Sequence, residues 1–277
     1  MQKILVTTDF SNNSKAGIRF AMQLAVQGNY ELIFYNVVEI LKPITWLDAM
    51  FKEFADNEVE RFTAALQKFV HEIRVKSNLP EVKFSCVSEA GLDVDKHIVA
   101  FAKKWKVDYI CMSTRGAGKV AKLFGTNASE LITTSPVPVI VVPQSYRLKA
   151  IKTIVYASDM ENLDKEMKHI FSFNQSIDDV KLDVFHYEFL PSLEANKKHL
   201  NKLAAKYENE NTKFHFKKLE VDNSLSAQMH RDIPATKTSL LILFTKQNRN
   251  WFERLFLSSN SADISFNTKI PMLVFRK

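Results

Sequence analysis

Apolar and polar residues follow one another in two series of blocks that share the same outline. Short apolar runs, typical of strands buried on both faces, alternate with segments whose apolar residues recur at helical spacing. In the first half, strands are predicted at 4–6, 31–38, 82–87, 109–112 and 137–142, and helices at 16–25, 48–75, 94–104 and 127–133. Alternating strands and helices favour parallel pairing with right-handed crossovers, which builds a doubly wound sheet.

The second half repeats this order. Its strands are predicted at 153–156, 181–186, 213–218, 240–244 and 272–275, and its helices at 164–173, 192–206 and 224–231. Both ends of the halves also match, since residues 3–9 resemble 152–159 and residues 123–142 resemble 256–275. Matching ends in matching order indicate a tandem duplication.

The domain prediction follows from that repeat. We expect two α/β domains, 1–146 and 147–277, each with a doubly wound parallel sheet. The polar junction after Pro143 is short, so the two domains are expected to pack against each other as a pseudo-dimer. A further homodimer of the whole chain is left open.

Composition is that of an ordinary globular protein, with 277 residues, 46% of them hydrophobic and 25% charged. No apolar run approaches the roughly 20 residues that span a bilayer, and the first residues do not form a signal peptide, so a cytoplasmic protein with no membrane partner is expected. The net charge of +7 is spread over short clusters that are typical of solvated faces, which argues against a nucleic-acid partner. Cys86 and Cys111 lie in strand-like surroundings and are interpreted as reduced core residues.

Glycine is confined to the first half, which holds all six glycines of the chain. Gly116 and Gly118 follow the strand 109–112, at the end of a sheet where α/β proteins bind ligands. Gly125 then precedes a helix, whose free N–H groups and positive dipole end suit phosphate oxygens. The alternative interpretation is that these glycines only turn the chain between strand and helix.

Four features together resemble the universal stress protein family: the opening 4–11, the second-strand ending 36–39, the isolated Gly91 before a helix, and 113–128 followed by 135–142. The chain resembles a tandem two-domain member, which implies two domains of the adenine nucleotide alpha hydrolase-like fold. Nucleotide-binding members carry a glycine, two residues, a glycine, nine residues, then glycine and serine or threonine. Here Ser113 replaces the first glycine, and eight residues separate Gly116 from Gly125.

The resemblance implies ATP or AMP in the first domain, with a divalent metal allowed beside the nucleotide. It implies that Asp9 faces the ribose, next to Thr8, and that the backbone of Val37 meets adenine. Ser113 takes the glycine position beside the ribose. The phosphates are assigned to Gly116, Gly125, Thr126 and Asn127.

The corresponding stretch of the second half, residues 245–251, has no glycine, and Ser258 and Ser259 replace Gly125 and Thr126. We expect Gln247, Arg249 and Trp251 to fill the space that a nucleotide would use. The second domain is therefore expected to be degenerate and structural.

No catalytic centre is assembled in the sequence, because the seven histidines are dispersed and neither a nucleophile elbow nor a Walker loop is present. We therefore expect a non-enzymatic regulatory protein of the stress response that binds nucleotide and an unknown protein partner. A protein-interaction module without nucleotide is the alternative, and a weak ATPase is the third. The stripe formed by Phe51, Phe54, Phe62 and Phe69 is interpreted as core or interface, and the adjoining Trp46 and Met50 as a candidate partner-binding region.

Overall fold

The structure is a computed structural model that describes residues 1–114, 126–188, 194–219, 225–235, 237–245 and 270–276. By its internal contacts the chain divides into two compact units, Met1–Leu148 and Lys149–Lys277. Within the described ranges, no helix is both long enough and apolar enough to cross a bilayer.

The first unit alternates strands and helices as predicted. Its described elements are β1 (Gln2–Thr7), α1 (Lys15–Gln27), β2 (Tyr30–Val38), α2 (Asp48–Lys76), β3 (Phe84–Ala90), α3 (Val94–Lys104), β4 (Tyr109–Ser113), α4 (Thr126–Thr134) and β5 (Val139–Val142). The strands lie in the order β3-β2-β1-β4-β5, and every neighbouring pair is parallel.

The second unit has the same topology. Its described elements are β6 (Thr153–Ser158), α5 (Leu163–Asn174), β7 (Lys181–Glu188), α6 (Glu194–Ala205), β8 (Thr212–Lys218), α7 (Leu225–Ala235), β9 (Leu240–Thr245) and β10 (Met272–Arg276). Its strand order is β8-β7-β6-β9-β10, again with parallel neighbours. The predicted α/β fold with a parallel sheet is confirmed.

The inner strands are apolar because helices cover both of their faces. All five residues of β4 and all four of β5 are buried. The edge strand β3 buries only Ser88, and its polar side chains explain why its bounds were predicted two to three residues early, at 82–87. Cys111 is buried as predicted, whereas Cys86 on β3 is half-buried, so the interpretation of Cys86 as a core residue is corrected; both are free thiols.

The helices of the first unit form two groups, since α1 contacts α2 and α3 contacts α4. Right-handed crossovers place the two groups on opposite faces, because the chain reverses its direction across the sheet after β3. Helix α2 is 29 residues long, yet only its carboxyl-terminal half reaches the core, through Leu66, Val70 and Ile73. In the predicted aromatic stripe, Phe51, Phe62 and Phe69 are half-buried and Phe54 is exposed, so none is a fully buried core residue; whether they form an interface stays a prediction.

We expect Gly91→Ala to destabilise the first unit by about 1 kcal/mol, because the protein must shift to admit a side chain there. A Cβ at Gly91 would lie 2.2 Å from Nε2 of His97, whose ring covers the glycine. His97 would have to leave its place beside Glu89, where Nδ1 lies 3.9 Å from a carboxylate oxygen. Urea unfolding measures the loss. Adding His97→Ala should restore most of it, and a double variant as unstable as Gly91→Ala would contradict this account.

Candidate functional site

The candidate site lies where the chain changes direction across the first sheet. Strand β1 lies between β2 and β4. The chain runs from β1 toward one edge of the sheet through β2 and β3, and it then crosses back to β4 and β5 on the other side of β1. In open α/β sheets, ligands bind in the crevice beyond the carboxyl ends of the strands at such a point. Three predicted residues lie at these ends: Asp9 after β1, Val37 near the end of β2, and Ser113 at the end of β4.

The turn after β1 is held by a buried hydroxyl. Thr8 Oγ1 accepts a hydrogen bond from the Phe10 N–H at 3.1 Å and lies 2.7 Å from Ser14 Oγ. Asp9 Oδ1 accepts from the Ser11 N–H at 3.1 Å, while the Asp9 side chain is exposed. The turn therefore fixes the Asp9 carboxylate at the solvent-facing mouth of the crevice.

Asn36 fixes this turn to β2. Its Nδ2 donates to the Thr8 carbonyl at 2.9 Å, and the residue is buried. Asn36 and Ser14 were not among the predicted site residues. Asn36 could have been found as the polar residue inside the apolar run 31–38, and Ser14 as the residue before the first turn of α1.

The backbone of Val37 faces the crevice. The carbonyl of Tyr35 accepts from the Thr8 N–H at 3.0 Å, and the carbonyl of Val38 accepts from the Gly91 N–H at 3.0 Å. Because backbone groups of alternate strand residues point to the same edge, Val37 points with Tyr35 toward β1. The β1–β2 register ends at the pair Thr7–Tyr35, so the Val37 backbone groups face the space beside Asp9 rather than a strand.

Ser113 is placed at the crevice, but its side chain turns inward. The residue is 7% exposed, and its Oγ accepts a hydrogen bond from the Gly17 N–H at 2.9 Å. A Cβ on Gly17 would lie 3.2 Å from the Ser113 backbone nitrogen, so the glycine permits this close approach of α1 to β4. The hydroxyl serves a helix N–H that has no partner inside α1, and only the Ser113 backbone remains for a ligand.

Of the residues predicted to hold the phosphates, the structure describes only Thr126 and Asn127. Gly116 and Gly125 lie outside the described residues. Helix α4 begins at Thr126 and has no acidic residue in its first turn. No carboxylate there offsets the positive end of the helix dipole, which therefore favours an anion. For Thr126 and Asn127 the structure describes the backbone alone, and their predicted contacts with phosphate stay predictions.

Acidic groups gather between α3 and α4. Burial, with the charges of Glu130 and Asp93, raises the pKa of Asp95 from 3.8 to about 6. Asp95 Oδ1 is buried and accepts no hydrogen bond from the described residues. Asp93 differs, because it caps α3 through the Lys96 N–H at 3.2 Å and pairs with Lys96 Nζ at 2.7 Å, which lowers its pKa.

The second unit contains the same turn. Ser158 Oγ accepts from the Met160 N–H at 3.0 Å, and Asp159 Oδ1 accepts from the Glu161 N–H at 3.1 Å. Met160 has a φ of 63°, like the 61° of Phe10, so both turns place one non-glycine residue in the left-handed region.

The strand beside this second turn has different side chains. His186 Nδ1 lies 3.0 Å from the Ser158 carbonyl, in the role of Asn36. The next residue, at the position of Val37, is Tyr187, which is buried. Burial and the neighbouring Asp232 raise the pKa of Tyr187 above its ordinary value. Gln247, Arg249, Trp251, Ser258 and Ser259 lie outside the described residues, so the predicted filling of this space stays a prediction.

A comparison with protein families decides the relationship, because the model of the universal stress protein family matches residues 1–143. The chain belongs to the universal stress protein family. Among curated proteins, none matches this universal stress protein.

Solved structures support the fold over both units. A universal stress protein from Archaeoglobus fulgidus DSM 4304 is similar over 99% of this chain and 98% of its own, with a TM-score of 0.68 and 15% identity. A functionally unknown protein from Pseudomonas aeruginosa PAO1 is similar over 100% of this chain and 92% of its own, with a TM-score of 0.64 and 13% identity. At these identities the similarity shows that the two-unit fold is shared.

We expect Ser113→Ala to lower the stability of this universal stress protein by about 1 kcal/mol, because the Gly17 N–H then loses its buried acceptor. Urea unfolding measures the change. Thr134→Ala is the control, since the Thr134 hydroxyl is exposed and donates to the Glu130 carbonyl one helical turn earlier. Equal stabilities of Ser113→Ala and wild type would show that the Gly17 contact contributes nothing.

We expect Asp95→Asn to stabilise the protein at pH 7 by about 1 kcal/mol, a discounted value because the group is partly exposed. A raised pKa means that the folded state binds the proton more tightly, so the stability contributed by Asp95 is present below pH 4 and is lost as pH rises to about 6. Unfolding at pH 7 and below pH 4 should show the gain only at pH 7. Asp93→Asn should give no gain, and a gain from Asp95→Asn that is the same at both pH values would contradict the assignment.

Proposed function

We propose that the first unit binds an adenine nucleotide, ATP or AMP, and that its occupancy regulates contacts with a protein partner during stress. The observation that carries the proposal is the Val37 backbone edge, which faces the exposed Asp9 carboxylate across the β1 end of the crevice. An adenine ring needs donor and acceptor groups along one edge, and a ribose offers hydroxyls to a carboxylate.

Each group has a role that its chemistry suits. Asp9 accepts from the ribose hydroxyls, with Thr8 fixing its turn, and Val37 bonds adenine through its backbone. The backbone at Ser113 lies beside the ribose. Phosphates lie toward the amino terminus of α4, where the N–H groups of Thr126 and Asn127 and the glycine loop at Gly116 and Gly125 would hold them.

A route from the nucleotide to the surface runs through Phe10, the residue after Asp9. Its ring centroid lies 6.1 Å from that of Phe62 and 5.4 Å from that of Phe69, both on α2. Lys15 Nζ also lies 5.5 Å from the Phe69 ring centre. A nucleotide that shifts the Asp9 turn would therefore press on the middle of α2. Regulation by binding requires such a physical connection between the site and a second surface.

A protein-interaction module without nucleotide is the second candidate, and the exposed apolar residues at the start of α2 favour it. Leu47 and Met50 are 70% and 55% exposed, which is unusual for adjacent large apolar side chains. Both candidates predict a partner, and they differ in whether the nucleotide binds. ATP hydrolysis is not part of the proposal.

We expect ATP or AMP to raise the melting temperature of the full chain, because a ligand at roughly 100 times its Kd stabilises the folded state by about 2.7 kcal/mol. Differential scanning fluorimetry with each nucleotide, with and without Mg²⁺, measures the shift and shows whether a divalent metal accompanies it. Asp9→Ala should remove most of the shift, because the ribose loses its acceptor.

Asp159→Ala is the matched control. It removes the same turn hydrogen bond in the second unit, so both variants should lose similar intrinsic stability. The nucleotide shift should persist in Asp159→Ala. No shift for wild type with either nucleotide refutes the proposal, and a shift that Asp159→Ala abolishes would assign the nucleotide to the second unit.

A further inference from the structure

Exposed apolar side chains are concentrated in the amino-terminal half of α2 and the loop before it. We call residues 41–60 the α2 arm. Leu41, Ile44, Leu47, Met50 and Phe54 are all exposed, and Ile44 projects fully into solvent. A concentration of this kind on one segment marks an interaction surface, because exposed apolar residues normally occur singly.

The arm has a defined shape. Residues 47, 50 and 54 recur at helical spacing and form one stripe on α2. The Trp46 ring packs edge-on against Phe54 with centroids 5.3 Å apart, which joins the loop to this stripe. The first α2 residue buried in the core is Leu66, so the stripe projects beyond the part of the helix that packs on the sheet.

The arm is acidic in a basic protein. It contains five carboxylates, at Asp48, Glu53, Asp56, Glu58 and Glu60, against Lys42 and Lys52, a net charge of −3, whereas the whole chain carries +7. Lys42 pairs with Asp48, and Arg61 just beyond the arm pairs with Glu58. Among described residues, Glu53, Asp56 and Glu60 are exposed and have no ion pair. Glu53 flanks the stripe, three residues after Met50, whereas Asp56 and Glu60 lie farther around the helix.

We propose that the α2 arm binds a cationic amphipathic helix of a partner protein. Such a helix would place its apolar side on Leu47, Met50 and Phe54 and a lysine or arginine opposite Glu53, within the net negative charge of the arm. Pairing of an apolar helix face with an apolar surface, flanked by opposite charges, is a common mode of peptide recognition.

The charge of the arm disfavours other occupants. An anionic membrane surface and a nucleic acid both repel a surface with net charge −3. A second copy of the chain, if it met the arm across a two-fold axis, would bring two acidic surfaces together. A basic helix is favoured because it satisfies both the apolar stripe and the unpaired carboxylates.

The test uses the full chain and two synthetic peptides of about 18 residues, roughly 27 Å when helical. The first has leucines at i, i+3, i+4 and i+7 with lysines elsewhere, and the second has glutamates in place of the lysines. Isothermal titration calorimetry should show one lysine peptide bound per chain, with a Kd on the order of micromolar. The glutamate peptide should not bind.

Variants assign the binding to the arm. The double variant Leu47→Ser, Met50→Gln should weaken the lysine peptide at least about tenfold without unfolding α2, because position 47 is the N-cap, where serine is favoured. Glu53→Lys should also weaken it, because it reverses the charge that flanks the stripe. Val75→Ser, which changes an exposed apolar residue at the other end of α2, should leave binding unchanged.

Three results would overturn the proposal. Equal binding of both peptides, or of neither, would show that the arm does not select a cationic helix. Sedimentation of the wild type as a dimer that the double variant makes monomeric would assign the arm to a second copy. Binding to vesicles rich in phosphatidylglycerol, lost in the double variant, would assign it to a membrane. None of these measurements requires nucleotide, so their failure is distinct from failure of the nucleotide proposal.

Discussion

The hydrogen bond from the Phe10 N–H to Thr8 Oγ1 is the interaction on which the organisation of the first unit's site depends. It holds Phe10 at a φ of 61°, a region that costs a non-glycine residue roughly 1–2 kcal/mol. In that conformation the chain directs Asp9 to the crevice and the Phe10 ring toward α2. Bonds to Ser14 and Asn36 keep Thr8 in place, so the strained residue is supported from α1 and β2 together.

The second unit contains the same turn beside a strand with different side chains, so the two units can be compared. Ser158 and Asp159 reproduce the hydrogen bonds of Thr8 and Asp9, and Met160 repeats the left-handed conformation. The strand next to the turn has diverged, with His186 and Tyr187 in place of a short amide and a valine. The turn therefore recurs in both units between the first strand and its helix, whereas the strand beside it differs between them.

Much of the fold was predictable because its strands are buried on both faces, and a continuous apolar run such as 31–38 reports that burial directly. Edge strands were less predictable, since β3 mixes polar and apolar residues and its ends are not marked by composition. The extent of α2 was predictable from periodicity, but the loss of burial before Leu66 was not, because the pattern cannot show where the sheet beneath a helix ends. The inward turn of Ser113 depends on Gly17, 96 residues away, and no local signal connects the two.

The aspartate has a structural role in both units, since Asp9 and Asp159 each accept the same turn hydrogen bond while the surrounding residues differ. The difference lies in Val37, whose small side chain leaves the backbone edge of β2 open toward the crevice, whereas the buried Tyr187 places an aromatic ring at the equivalent position. An adenine ring that bonds the β2 backbone would lie beside Val37, and the second unit has a tyrosine in place of that valine. The case for the first unit therefore depends on the backbone of Val37 more than on the carboxylate beside it.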